Sequence, residues 1–249
     1  MQKRNLVFVE GLNPVLELFN SNRYIKKIYL DKGLKSPKKK NILEYASKRN
    51  IPIEYYSRSR LDTLSKTGVH QGVIALAERV VFSSLKGFLE DTLDKPNLSI
   101  VIARNITYEH NLGAIIRTCV ASGVDGLIIT GKSSVKITPV VERTSMGAIS
   151  EIALFRESFF SAVKLLKRAG LKLIALEVTG EKYYFEESLT GRTAFVIGGE
   201  SETLRENVIN KVDTVVKIPM ISKIPSLNVS VALGIVLYDR IRQLYGNTI

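Results

Sequence analysis

Residues 217–243 read KIPMISKIPSLNVSVALGIVLYDRIRQ, and three conformational signals follow one another in them. The run leading in, 214–218, is short and β-branched. Residues 219–228 are broken by Pro219, Pro225 and polar side chains, and 229–243 repeats apolar residues at helical spacing. A strand that passes through a loop into an amphipathic helix is half of an α/β repeat. The same alternation extends back along the chain. Strand-like runs lie at 98–103, 126–130, 171–177 and 193–197, and helical runs at 112–122, 158–169 and 202–211. Strands alternating with helices predict an α/β domain whose mostly parallel sheet is covered on both faces.

The first 80 residues form a second, smaller α/β pattern. Asn13-Pro14 reads as a helix start with proline in the first turn, and Ser36-Pro37 as another; 25–30, 51–55 and 73–77 read as strands, and 59–66 as a short helix. Residues 81–97 hold a weak helical pattern and then a polar, proline-containing stretch, and are read as a linker. The predicted organisation is therefore 1–80, a linker at 81–97, and a domain at 98–249.

Composition narrows the function. The chain has 249 residues, 45% hydrophobic and 24% charged, which suits a folded chain with a real core and excludes wholesale disorder. Its single cysteine, Cys119, excludes a disulfide scaffold. The opening MQKRNLVFVEGL holds an apolar run of only 6–9 before Glu10, too short for a signal-peptide core. No stretch approaches the roughly 18 apolar residues of a membrane span. The expected location is cytoplasmic, with no membrane partner. The net charge is +12, and residues 1–90 hold 17 Lys and Arg against 8 Asp and Glu. An excess concentrated in the first third fits a phosphate-backbone partner better than a uniform compositional bias does.

Some motifs are decoys. GLIITGKS at 126–133 matches the phosphate-loop pattern letter for letter, but Leu127, Ile128 and Ile129 favour strand, and SVKITPV follows where a helix is needed. His70, His110 and Cys119 match no zinc spacing, and no G-x-S-x-G elbow is present, so no metal is implied.

Three clusters remain. HNLGAIIRT puts Asn111 and Gly113 at a strand-to-helix junction and Arg117 on the helix. FVIGGES ends a strand in Gly198-Gly199-Glu200, where backbone can approach a ligand closely. SLNVS carries Ser226, Leu227 and Asn228 into the last helix. Singly, Asn111 and Ser226 read as helix caps and the glycines as a turn.

In order and wording the three resemble the motifs of the SPOUT class of RNA methyltransferases, in its TrmH (SpoU) branch of 2′-O-ribose methylating enzymes, over 98–245. GLNPVLELF near residue 11 and HQGVIALAE at 70–78 are similar to the ribosomal-protein-like RNA-binding domain that precedes the catalytic domain in ribosomal RNA members. Many members have Asp-Pro shortly before the motif-one Asn, where this chain has Tyr108-Glu109-His110, so its motif-one loop differs. The resemblance implies a deep C-terminal trefoil knot and S-adenosylmethionine as cofactor, contacted by Gly198, Gly199, Ile218, Met220 and Leu227. It also implies a catalytic set of Arg117, Asn111, Glu200, Ser226 and Asn228, and a homodimer joined through the helix 229–243. The expected substrate is structured RNA, with 23S ribosomal RNA ahead of transfer RNA and of a thiopeptide-resistance-type ribosomal RNA target. A non-catalytic RNA-binding protein and a nucleotide hydrolase are the competing readings from other classes.

Overall fold

In the computed structural model, which describes residues 5–21, 23–199 and 204–246, the chain runs Leu6–Glu10 (β1), Leu12–Leu18 (α1), Ile25–Asp31 (β2), Pro37–Lys48 (α2), Ile53–Tyr56 (β3), Arg58–Leu64 (α3), Val73–Glu78 (β4), Leu85–Asp91 (α4), Ser99–Arg104 (β5) and Glu109–Ala121 (α5). It continues through Gly126–Thr130 (β6), Pro139–Thr144 (α6), Ala153–Arg156 (β7), Phe159–Arg168 (α7), Lys172–Leu176 (β8), Lys182–Tyr183 (β9), Thr193–Gly198 (β10), Glu206–Ile209 (α8), Thr214–Lys217 (β11) and Val229–Tyr245 (α9). It divides into two units, one of 1–81 with 136–151 and one of 82–135 with 152–249.

The first unit is a four-stranded sheet of order β1-β4-β2-β3, with β2 and β3 parallel and the other pairs antiparallel. One face buries Val9, Ile28, Leu30, Val73 and Ala75 against Val15 and Leu18 of α1 and Ile42 and Ala46 of α2. Helix α2 begins as the sequence predicts. Ser36 Oγ accepts from the Lys38 N–H at 3.3 Å, and Pro37 occupies the first turn, where a missing N–H costs nothing. Residues 136–151 return to this unit. Arg23 meets Glu142 of α6 there, and Gly147, at φ +96°, packs so closely on Glu17 that an added Cβ would stand 1.9 Å from its Cγ.

The second unit is a seven-stranded sheet of order β7-β6-β5-β10-β8-β11-β9, parallel at every described pairing. SIVIAR in β5 and GLIIT in β6 are near-continuous apolar runs because helices cover both faces. On one face Ile100, Ile102, Ile128 and Val196 pack with Phe159, Val163 and Leu166 of α7 and with Leu85 and Leu89 of α4. The stretch 81–97 thus contributes a helix to this core where sequence suggested a linker. On the other face α5 and α9 pack together, and an added Cβ at Gly234 would make ordinary contact with Thr118 Cγ2 at 3.7 Å. Strand β6 ends at Thr130 and no helix begins before α6, which removes the phosphate-loop geometry from GLIITGKS.

The strand order turns back between β5 and β10. From β5 the chain steps outward through β6 and β7, whereas β8, β10 and β11 lie on the other side. In open parallel sheets the loops diverge at such a point and leave a crevice beyond the carboxyl ends of the strands. The register sets Gly198 level with Arg104, Arg104 level with Thr130, and Ile197 level with Leu176, so these residues mark that edge.

Candidate functional site

Beyond the ends of β8, β10 and β11 lies a cavity of about 260 Å³. Two of the three clusters that sequence singles out, at 195–199 and 226–230, line it together with the ends of β8 and β11. Gly198 ends β10 and Gly199 follows it, Ile218 and Met220 follow β11, and Ser226 and Leu227 precede α9; all six line it. Gly199 is required sterically. A Cβ there would lie 2.1 Å from the carbonyl oxygen of Asn105, so the backbone that forms this wall lies directly against the end of β5.

The α9 side is fixed by Asn228. Its Oδ1 accepts from the Ser230 N–H at 2.9 Å and the Ser230 hydroxyl at 2.7 Å, which makes Asn228, not Ser226, the cap of the helix. Its Nδ2 donates to Asn111 Oδ1 at 3.1 Å, joining the start of α9 to the start of α5. Buried Arg240 anchors the other end of α9 by donating to the carbonyls of Leu189 and, at 3.0 Å, Gly191.

Helix α5 begins at Glu109, earlier than the apolar spacing indicates. Asn111 is therefore inside its first turn and Gly113 is a buried helical residue, not the entry to the helix. Arg117 lies two turns on and is exposed, outside the cavity lining. Glu200, expected beside the glycines, lies outside the described residues.

Sequence reasoning missed Glu177, at the end of β8. Its carboxylate accepts from the Val178 N–H at 2.9 Å and the Leu204 N–H at 2.8 Å, and its own N–H donates to Val216 at 3.0 Å. It thereby joins the ends of β8 and β11 to the segment beginning at Leu204. The signal available was position alone, a polar residue at the carboxyl end of a predicted parallel strand. Glu177 is the single charged group among the described residues lining the cavity. Apolar walls at Ile218, Met220 and Leu227, with backbone polar groups at the glycines and one carboxylate, suit a largely apolar ligand held in place by a few polar groups. The described residues hold no group of three or more side chains able to bind a metal.

A parallel sheet with its crevice at this edge, and backbone segments converging on one cavity, define a ligand-binding α/β domain. The match to the SpoU rRNA Methylase family spans residues 98–238, and the chain belongs to that family of RNA methyltransferases. Residues 8–81 match the domain described as RNA 2′-O ribose methyltransferase substrate binding. Among relatives, the chain is 32% identical over 239 residues to a Staphylococcus haemolyticus protein named "Putative TrmH family tRNA/rRNA methyltransferase", covering 95% of this chain and 96% of that one. It is 30% identical to the 23S rRNA (guanosine-2′-O-)-methyltransferase RlmB of Pseudomonas putida, covering 94% of this chain and 96% of that one. A solved RNA 2′-O ribose methyltransferase superposes with a TM-score of 0.83 at 25% identity, over 97% of this chain and 90% of that one. The AviRb methyltransferase of Streptomyces viridochromogenes, solved in complex with AdoMet, shares the fold with a TM-score of 0.79 at 23% identity, over 96% and 90%. S-adenosylmethionine is the cofactor of SpoU methyltransferases.

Proposed function

We propose that this chain methylates a ribose 2′-hydroxyl of 23S ribosomal RNA and binds S-adenosylmethionine in the cavity formed by Gly198, Gly199, Ile218, Met220 and Leu227. The observation that carries the reading is the convergence of these segments on one cavity, together with the Asn228–Asn111 bond that ties it to the helix bearing Arg117. When bound, the cofactor supplies a methyl group on a positively charged sulfur. The chain aligns the acceptor, whose proton leaves to an RNA phosphate oxygen or to water as the oxygen takes the methyl group. Arginine stays protonated in proteins, so Arg117 serves as a forked clamp on the RNA phosphate or the 2′-oxygen rather than as a store for the proton. Asn111, Ser226 and Asn228, with Glu200, hold the loop and the ribose. The trefoil threading of the segment through 228 and a cytoplasmic location belong to the same proposal.

The ribosomal assignment is supported by the RlmB relative and by the substrate-binding match at 8–81, within the basic first third of the chain. A homodimer is supported by α9. Val231, Tyr238 and Tyr245 stand seven residues apart on it, each 50–55% exposed, an apolar stripe suited to a second copy.

The reading is tested by methyl transfer from labelled S-adenosylmethionine into separate pools of unmodified large-subunit, small-subunit and transfer RNA. Label at one alkali-resistant position in the large-subunit pool is expected. Label only in transfer RNA would reverse the substrate assignment. For the cavity, Gly199→Ala is expected to weaken cofactor binding at least about tenfold, because the new methyl must push the wall away from Asn105. An unchanged calorimetric Kd would move the cofactor elsewhere.

A further inference from the structure

We propose that a second cleft, at the carboxyl ends of β5, β6 and β7, holds the phosphate backbone of the RNA strand adjoining the target ribose. The proposal rests on the methyltransferase reading of the neighbouring cavity. Among the described residues that line this cleft, Arg104, Lys132, Arg156 and Arg205 stand beside one carboxylate, Glu157. Like charges gathered around one concavity repel one another, and a polyanion relieves that repulsion and releases counterions as it binds. Phe160, 52% exposed, offers a ring at the same place on which an unpaired base can stack.

The cleft is pre-formed. Gly131, at φ +98°, turns the chain out of β6 directly over Asn105, where an added Cβ would stand 2.0 Å from Asn105 Oδ1. The Ser134 hydroxyl donates to the Thr130 carbonyl, and the Val135 N–H donates to the Ile106 carbonyl at 2.8 Å, so the turn carrying Lys132 is pinned to the end of β5. The Arg156 guanidinium stacks 4.8 Å from the centre of the Phe82 ring. GKSS at 131–134, which has no phosphate-loop geometry, becomes a wall of this cleft.

Asn105 gives the cleft its relation to the chemistry. It lines the cleft, while Gly199, packed on its carbonyl oxygen, lines the cofactor cavity. The two concavities thus stand on either side of the end of β5. A strand whose phosphates occupy one can present a ribose at the other.

The test uses the full chain and a triple variant, Lys132→Ala with Arg156→Ala and Arg205→Ala, all at exposed positions. Affinity for a fluorescein-labelled oligouridylate of about 12 nucleotides, within ordinary single-strand site sizes, is measured across a salt series. Loss of three phosphate contacts should reduce the slope of log K against log salt by about two, with S-adenosylmethionine affinity and melting temperature unchanged. Phe160→Ala should weaken RNA binding about fivefold or more at fixed salt, since base–aromatic stacking is worth that much. An unaltered slope beside a wild type that methylates RNA would overturn the cleft and leave the methyltransferase reading intact. A wild type that neither binds the cofactor nor methylates any RNA pool would overturn both.

Discussion

Replacing Arg117 with alanine is expected to slow methyl transfer by about a thousandfold, roughly 4 kcal/mol of transition-state stabilisation, while changing S-adenosylmethionine affinity little. The separation of effects follows from position. Arg117 is exposed on α5 and takes no part in lining the cavity proposed for the cofactor, so its loss leaves the walls at Gly198, Ile218 and Leu227 intact. What disappears is a planar set of donors that can grip a phosphate or a developing alkoxide in two directions at once. Arg117→Lys keeps the charge without the fork and should recover only part of the rate. Single-turnover transfer of labelled methyl, paired with calorimetric cofactor titration, reads both quantities. Turnover equal to wild type would remove Arg117 from the chemistry, and a matching loss of cofactor affinity would make it a binding residue instead.

How much of this was legible before the fold was seen depends on whether a feature is local. Strands β5, β6, β8 and β10 announce themselves because burial on both faces demands apolar runs. Strand β9, only Lys182–Tyr183 and exposed, has no pattern to read. Helix α6 was hidden by its own first residue. Pro139 argues against a helix continuing from β6, yet it is harmless in the first turn of a helix that Thr138 caps. Gly198, Ile218, Ser226 and Leu227, which line the cavity, lie in segments whose wording is distinctive. Glu177 has no such wording, because its role depends on Leu204, 27 residues further on. The second cleft is of the same kind, since Arg104, Lys132, Arg156 and Arg205 come from four separate segments that only the sheet brings together.

The longest such link gives the largest expected change in stability. Arg23 Nη1 donates to Glu142 Oε2 at 2.9 Å, Nη2 donates to Oε1 at 3.3 Å, and Nε donates to the Glu78 carbonyl at 2.7 Å, with the Glu142 side chain only 3% exposed. Arg23→Ala strips that buried carboxylate of its bonded partner, at a cost of about 3–5 kcal/mol at neutral pH. Burial pushes the Glu142 carboxyl above its ordinary value, and Arg23 and then Arg79 oppose that push. Without Arg23 the folded-state value rises further. A carboxyl raised in the folded state stabilises the fold below its unfolded value and loses that contribution as pH rises through its folded value. The variant's deficit should therefore be smaller at about pH 5.5 than at about pH 8 in urea unfolding. A deficit below about 1 kcal/mol, or one equal at both pH values, would contradict a buried charged pair. The double variant Arg23→Met with Glu142→Leu removes both charges and should recover most of the loss, because the penalty comes from the abandoned carboxylate more than from the missing attraction.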